Sequence, residues 1–206
     1  EKPDYLCVAF DRKEKTFRHE IFFYYKGTRK PMPLELHEQV PVLKELLDAM
    51  QIRTVECPGY EADDLLGSLA NNAQEMGIEV TLVSGDRDLL QIASDHIKIR
   101  IPKTKGGKTV TEDYYSNDVI DKYQVNPKEF IDLKALMGDT ADNIPGVPKV
   151  GEKTATQLMI QFGSLENIYD HLEEINKKSI YDTLKENKDL AFLSRVLATI
   201  KTDCEL

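Results

Sequence analysis

One pattern occurs three times in the first half of the chain: a short β-forming apolar run, a break, and then acids. Tyr5–Phe10 is continuously apolar and stops at Asp11. Ile52–Val55 is followed, after Pro58-Gly59, by Glu61-Ala-Asp-Asp64, and 79–83 leads through Ser84-Gly85 to Asp86 and Asp88. Helical spacing follows each run: Leu36, Val40, Leu43, Leu46, Leu47 and Met50; then Leu65, Leu66, Leu69, Ala73 and Met76, stopped by Gly77; then 89–93. Strands alternating with helices predict an α/β fold, a mainly parallel twisted sheet with helices on both faces. In such sheets ligands bind outside the carboxyl ends of the strands, where these acids fall. The first run, apolar throughout, is expected to be buried on both faces.

Ile97–Ile101 alternates with Lys98 and Arg100, and Gly106-Gly107 ahead of Thr109–Thr111 predicts a hairpin at one sheet edge. Beyond Asn117 the pattern is helical throughout. The chain therefore divides into an α/β unit over 1–115, interrupted by a distinct region at about 12–45, and an all-helical unit over 116–206. No window approaches the roughly 18 apolar residues of a membrane span, and Glu1-Lys-Pro-Asp4 is no signal peptide. Cys7, Cys57 and Cys204 match no zinc spacing and fit reduced thiols. A soluble cytoplasmic chain with no membrane partner is expected. It begins without Met and two residues before a proline, which suggests a fragment of something longer.

The net charge of −9 argues against a simple nucleic-acid binder until the acids are located. Asp11, Glu61, Asp63, Asp64, Asp86 and Asp88 fall at the sheet edge, and Asp139 and Asp142 lie in the loop Gly138-Asp-Thr-Ala-Asp-Asn-Ile-Pro145; setting these eight aside brings the net to −1. Two carboxylates about 4 Å apart repel by about 4 kcal/mol at an effective dielectric near 20, so a gathering of them protonates or holds cations. Hard oxygen donors without His or Cys select Mg²⁺ or Mn²⁺, and a pair of such ions is the arrangement that cleaves phosphodiesters. Taken alone, Glu61–Asp64 reads as a solvated first turn, and Asp86 or Asp88 as a helix cap. The threefold recurrence is what favours a site.

Residues 12 to 33 are basic and aromatic together, including Arg18, Phe22, Phe23, Tyr24, Tyr25, Lys26 and Arg29. Rings that stack on unpaired bases beside cations that neutralise phosphates are the combination that holds single strands. A second phosphate-binding candidate is the turn Ile144–Ala155, where glycines bracket a helix N-terminus. It is not a Walker A loop, because position 152, where the lysine would stand, is Glu.

Val8-Ala-Phe-Asp11, Phe17-Arg-His-Glu20, Tyr25-Lys-Gly-Thr-Arg29, Pro58-Gly-Tyr-Glu-Ala-Asp-Asp64, Ser84-Gly-Asp-Arg-Asp-Leu89 and Leu136-Met-Gly-Asp-Thr-Ala-Asp-Asn-Ile-Pro-Gly-Val147 occur in order along the chain. This set resembles the 5′-nuclease (5′-3′ exonuclease) domains of the bacterial DNA polymerase I family, in the flap endonuclease superfamily. The resemblance implies a PIN-like (resolvase-like) core with a helical arch, then a helix-three-turn-helix subdomain. It implies one metal site from Asp11, Glu61, Asp63 and Asp64 and a second from Asp86, Asp88, Asp139 and Asp142, holding two Mg²⁺ or Mn²⁺. Lys26, Arg18 and Arg29 match the basic residues that steer the scissile phosphate. Tyr25, Gly146, Val147, Lys149, Gly151, Lys153 and Thr154 are the implied DNA contacts, with K⁺ at the turn as in relatives.

The implied activity is 5′-3′ exonuclease and flap endonuclease hydrolysis in primer removal and repair. The implied partners are duplex DNA with a 5′ flap or nick and a polymerase domain in the same full-length chain, in a bacterial, nucleoid-associated setting. The family's first strand, with an Asp-Gly-Asn-type motif, has no counterpart here, so an impaired fragment is expected. Two alternatives stay open: an inert, sequence-independent DNA-binding module, and a free-standing 5′-nuclease.

Overall fold

The computed structural model describes residues 2–205; Glu1 and Leu206, the outer limits of the two units expected from the sequence, lie outside the described residues. Strand β1 (Cys7–Ala9) pairs in parallel with β2 (Arg53–Val55), and α1 (Phe17–Ile21) and α2 (Leu34–Ala49) lie between them in the chain. α3 (Ala62–Glu75) then leads to β3 (Val80–Val83), which runs parallel to β4 (Ile97–Lys105). The stretch after Asp86 forms a 3₁₀ turn over Asp88–Ile92. The expected hairpin is present: β4 pairs antiparallel with β5 (Lys108–Tyr114) across Gly106 and Gly107, both at positive φ.

The described strands fall into two sheets, β1–β2 and β3–β4–β5, with no ladder between β1 and β3. The first run is therefore not buried on both faces: Tyr5 and Leu6 are exposed and β1 is half-buried. At the other free edge Val83 is 62% exposed. α2 departs from expectation in a related way. Its apolar residues Leu34, Leu36, Val42, Leu43, Leu46 and Met50 are all exposed, because the helix packs chiefly on the short β2.

The second half is helical, as expected: α4 (Ser116–Tyr123), α5 (Pro127–Met137), α6 (Glu152–Phe162), α7 (Leu165–Asp170), α8 (Lys178–Glu186) and α9 (Lys188–Ala198). Asn126 opens α5 with its side chain accepting the Glu129 N–H, Pro127 takes the first helical position, and Gly138 ends the helix at φ 72°. One apolar core runs through both halves, from Ala70, Leu82 and Ile99 to Phe130, Leu136, Ile168 and Leu184. Tyr25, Ile144, Leu197 and Ala198 form a smaller cluster that fastens the segment after α1 to α9. The Tyr25–Ile144 packing and a hydrogen bond from the Lys26 N–H to Asp142 O at 2.8 Å hold the Asp139–Ile144 loop against the segment after α1. Among the described residues no helix is long and apolar enough to cross a membrane.

Candidate active site

The acids gather because the local folding of each segment turns them the same way. Asp11, just past β1, accepts the Ala62 N–H at 2.8 Å and so sits on the first turn of α3, where the helix dipole favours a negative charge. Glu61 is the N-cap of that helix and is buried. Its Oε1 accepts from Lys26 Nζ at 2.8 Å and its Oε2 from the Tyr25 hydroxyl at 3.0 Å. The same hydroxyl lies 3.3 Å from Asp142 Oδ2, and Asp142 is also bound by Arg29. Tyr25 thus joins Glu61 to Asp142, residues that the family resemblance assigns to different metal sites.

A second group forms after β3. Asp86 accepts the Asp88 N–H at 2.8 Å, which turns both carboxyls out of the 3₁₀ turn. Asp88 is ion-paired with Lys134 of α5 at 2.8 Å, and Lys134 also binds Asp139. Asp139 is set by the tight loop it opens: its backbone exchanges two hydrogen bonds with Ile144, and its Oδ1 accepts the Ala141 N–H at 2.7 Å. An open cavity of about 380 Å³ is lined by Asp86, Asp88, Asp139 and Asp142 with Arg29 and Lys134.

Asp63 belongs to both groups. Burial, then the charges of Asp86 and Asp11, push its carboxyl up to about 7. Asp88 rises to about 6, chiefly by burial, although Lys134 opposes the shift. Burial also works against ionised Asp139, but Lys134 and the Ala141 and Asp142 N–H groups outweigh it and hold that carboxyl below its ordinary value. Among the described residues no three acids, histidines or cysteines are arranged to hold one ion as they stand, since Lys26, Arg29 and Lys134 occupy much of the carboxylate surface. The donor chemistry itself suits a hard divalent cation: every candidate ligand is a carboxylate oxygen, and two of them are raised by burial and by neighbouring acids, both of which a bound cation offsets.

Four implied roles are corrected by the geometry. Asp64 is fully buried and pairs bidentately with Arg18, both N···O distances being 2.7 Å, so its oxygens face away from the cavity. Arg18, 3% exposed, is saturated by Asp64 and by the Leu197 and Thr199 carbonyls, and cannot reach a phosphate. Tyr25 is 3% exposed and works through its hydroxyl, leaving Phe23 and Tyr24 as the exposed rings of the segment, 5.4 Å apart edge-to-face. At the glycine turn the Gly146 N–H donates to Ser194 Oγ at 3.0 Å and the Val147 N–H to Leu136 O at 2.8 Å, so neither is free for a phosphate.

Lys149 (φ 67°), Gly151 and Lys153 remain exposed at that turn and Thr154 is half-buried; Gly151 caps α6 without a side-chain bond to the helix. Lys134 was not among the expected residues. The available signal was a lysine amid the mostly apolar stretch 130–137, because a lysine is rarely buried unless it is paired.

A parallel-strand edge lined with carboxylates, crossed by basic side chains and backed by a helical unit, defines a phosphate-handling α/β protein. Family models agree along the whole chain: residues 1–124 match "5′-3′ exonuclease, N-terminal resolvase-like domain" and 125–206 match "5′-3′ exonuclease, C-terminal SAM fold". The chain belongs to the 5′-3′ exonuclease family.

It is 48% identical over 203 residues to DNA polymerase I of Bacillus caldotenax, covering 98% of this chain and 23% of that protein. It is also 48% identical over 206 residues to DNA polymerase I of Bacillus subtilis, covering 100% and 23%. The chain thus spans about a quarter of these curated relatives. Among solved structures it resembles the T5 5′-exonuclease with bound zinc, with a TM-score of 0.81, 27% identity, and 97% of this chain matched to 75% of that one. The T5 D15 flap endonuclease complexed with DNA and metal ions gives 0.80 and 26%, covering 97% and 75%. The catalytic core of Rad2 with DNA shares the fold at a TM-score of 0.60 and 16% identity, covering 95% and 65%.

Proposed function

We propose that this chain is the phosphodiester-cleaving unit of a 5′-3′ exonuclease, acting on duplex DNA that carries a 5′ flap or a nick. The observation that carries the reading is the cavity lined by Asp86, Asp88, Asp139 and Asp142, with Asp63 raised to about 7 by burial and by the charges of Asp86 and Asp11. Asp11, Glu61, Asp63, Asp86, Asp88, Asp139 and Asp142 are the residues we assign to two Mg²⁺ or Mn²⁺ ions. When bound, such ions supply water activation and take up charge on the leaving 3′ oxygen. Arg29, which lines the cavity, and Lys26, paired with Glu61 and 3.8 Å from Asp142, would hold the scissile phosphate and offset its transition-state charge.

Lys149, Gly151, Lys153 and Thr154 would grip the duplex backbone at the start of α6, where unbonded N–H groups and the helix dipole favour an anion. The reading keeps a K⁺ at this turn, where the Val147 and Pro148 carbonyls each accept one hydrogen bond and retain a second lone pair. On this reading the chain works beside a polymerase domain, as the names of its relatives suggest, on bacterial DNA in the cytoplasm.

The test is cleavage of a 5′-flap duplex with Mg²⁺ and with EDTA, using wild type, Asp86→Asn and Asp139→Asn. Metal-dependent release of 5′-phosphorylated product, lost in both variants while DNA affinity persists, supports the reading. Unchanged binding with no metal-dependent cleavage by wild type would establish an inert DNA-binding module instead.

A further inference from the structure

The segment that follows α9 lies along α3, held by side chains from three distant parts of the chain. Arg18 Nε donates to Leu197 O at 2.9 Å and Nη2 to Thr199 O at 2.7 Å. Asp64, already paired with Arg18, accepts the Lys201 N–H at 2.9 Å. Ser68, one turn further along α3, accepts the Cys204 N–H at 3.0 Å. The Gln91 side chain donates to Ala198 O at 2.9 Å and accepts the Ile200 N–H at 2.8 Å. Gly67 permits the approach: a Cβ there would stand 2.8 Å from Ile200 Cγ2 and 3.1 Å from Lys201 O.

The same pair also touches the acids. Asp64 Oδ2 accepts the Glu61 N–H at 3.0 Å, closing the cap of α3, and Arg18 Nη1 lies 3.6 Å from Glu61 Oε2. One guanidinium–carboxylate unit therefore connects the tail, the first turn of α3 and the Glu61 side chain. We infer that Arg18 and Asp64 are positioning residues that register Glu61 and Asp63 on residues 199–204. The nuclease site is then built correctly only when that tail segment is seated. This inference rests on the nuclease reading for its link to catalysis. Charge alone does not satisfy the geometry: a lysine at position 18 has one nitrogen, where the arginine fork serves a bidentate carboxylate and two carbonyls at once.

The test compares wild type, Arg18→Lys and Gly67→Ala, each at a temperature where melting curves show it folded. Gly67→Ala disturbs the seating of the tail without touching an acid, and alanine favours the helix, so it keeps the test alive if Arg18→Lys does not fold. Three quantities are measured: kcat on a 5′-flap duplex with Mg²⁺, flap-DNA affinity in EDTA, and Mn²⁺ affinity by water-proton relaxation without DNA. We expect DNA affinity within about twofold of wild type, kcat lower by about tenfold or more and Mn²⁺ affinity weaker by about threefold or more, one RT ln 10 being about 1.4 kcal/mol. Unchanged kcat and Mn²⁺ affinity in the folded variants would reduce the pair to a stabilising role and overturn the inference. Weakened DNA binding with unchanged Mn²⁺ affinity would make Arg18 a phosphate contact and also overturn it. If wild type does not cleave, the nuclease reading fails, and the Mn²⁺ titration still decides whether the pair positions the acids.

Discussion

Lys134 Nζ stands 2.8 Å from Asp88 Oδ1 and also binds Asp139, so a lysine buried in α5 is the internal counter-ion of one acid after β3 and one in the loop after α5. Removing one partner of a buried ion pair leaves an uncompensated charge, at a cost of about 3–5 kcal/mol. Lys134→Met should therefore lower the melting temperature in EDTA by about 6–20 °C, using the shift per kcal/mol of a chain this size. A divalent cation replaces the lost charge, so Mg²⁺ should raise the melting temperature of the variant more than that of wild type. Equal Mg²⁺ shifts in thermal scans would show that Lys134 does not neutralise this site.

The raised carboxyls predict a pH dependence whose sign is opposite to the ordinary acid case. Asp63 is pushed from 3.8 to about 7 and Asp88 from 3.8 to about 6, so the folded state binds these protons more tightly than the unfolded one. Their contribution to stability is complete below about pH 4 and lost as pH rises toward 7. In EDTA, Asp63→Asn should stabilise the protein at pH 8 and have little effect at pH 4. Urea titrations at the two pH values check this, and a variant equally destabilised at both would remove Asp63 from the crowded group.

Asp11, Glu61, Asp63, Asp86 and Asp88 were legible in the sequence because they follow strands, and strand ends in a parallel sheet are geometrically equivalent, whereas Asp139 and Asp142 follow α5 and were legible only through the resemblance. Asp64 was not separable from Asp63, since which of two adjacent residues turns inward depends on Arg18, 46 positions away. The carbonyl partners of Arg18 lie 179 and 181 positions away, at the end of α9 and just beyond it, and no local pattern announces them. Phe22–Tyr25 shows no period, so the burial of Tyr25 beside exposed Tyr24 follows only from the Ile144 and Leu197 surface that receives it. The helical stripe of α2 was legible as a helix, whereas its exposure depends on what packs against it.

Tyr25→Phe separates a stacking ring from a bridging hydroxyl. The substitution keeps the ring and deletes only the group that donates toward Glu61 and lies 3.3 Å from Asp142. A lost hydrogen bond to a charged acceptor is worth about 1.5–3 kcal/mol, so cleavage should fall by roughly tenfold to a hundredfold while flap-DNA affinity is retained. Wild-type turnover combined with DNA affinity lost only in Tyr25→Ala would favour the ring.

Gly146 and Gly151 belong to the same turn and should respond differently to alanine. A Cβ on Gly146 would lie 2.4 Å from Gly138 N at φ +63°, with backbone rather than a flexible side chain in the way. A Cβ on Gly151 meets nothing within 4 Å, and its φ of −88° suits any residue. Gly146→Ala should destabilise the fold by about 2 kcal/mol or more, combining left-handed strain with the clash. Gly151→Ala should change stability by less than about 0.5 kcal/mol. Comparable denaturation midpoints for the two variants would contradict the close Gly138–Gly146 contact.

Lys149 and Lys153 project from the exposed part of the turn, and neither has a salt-bridge partner among the described residues. If each neutralises one phosphate of the duplex, binding releases condensed counterions and the logarithm of affinity falls linearly with the logarithm of salt concentration. Each phosphate contact contributes about 0.9 to that slope on B-form DNA. The double variant Lys149→Ala/Lys153→Ala should therefore bind duplex DNA more weakly at low salt, with a slope shallower by about 1.8, the same for any base sequence. The cleavage step on bound substrate should be preserved in single-turnover experiments, because both lysines lie outside the acid cavity. A salt series of DNA affinities for the two proteins decides the point: parallel lines would place the phosphate contacts elsewhere on the molecule.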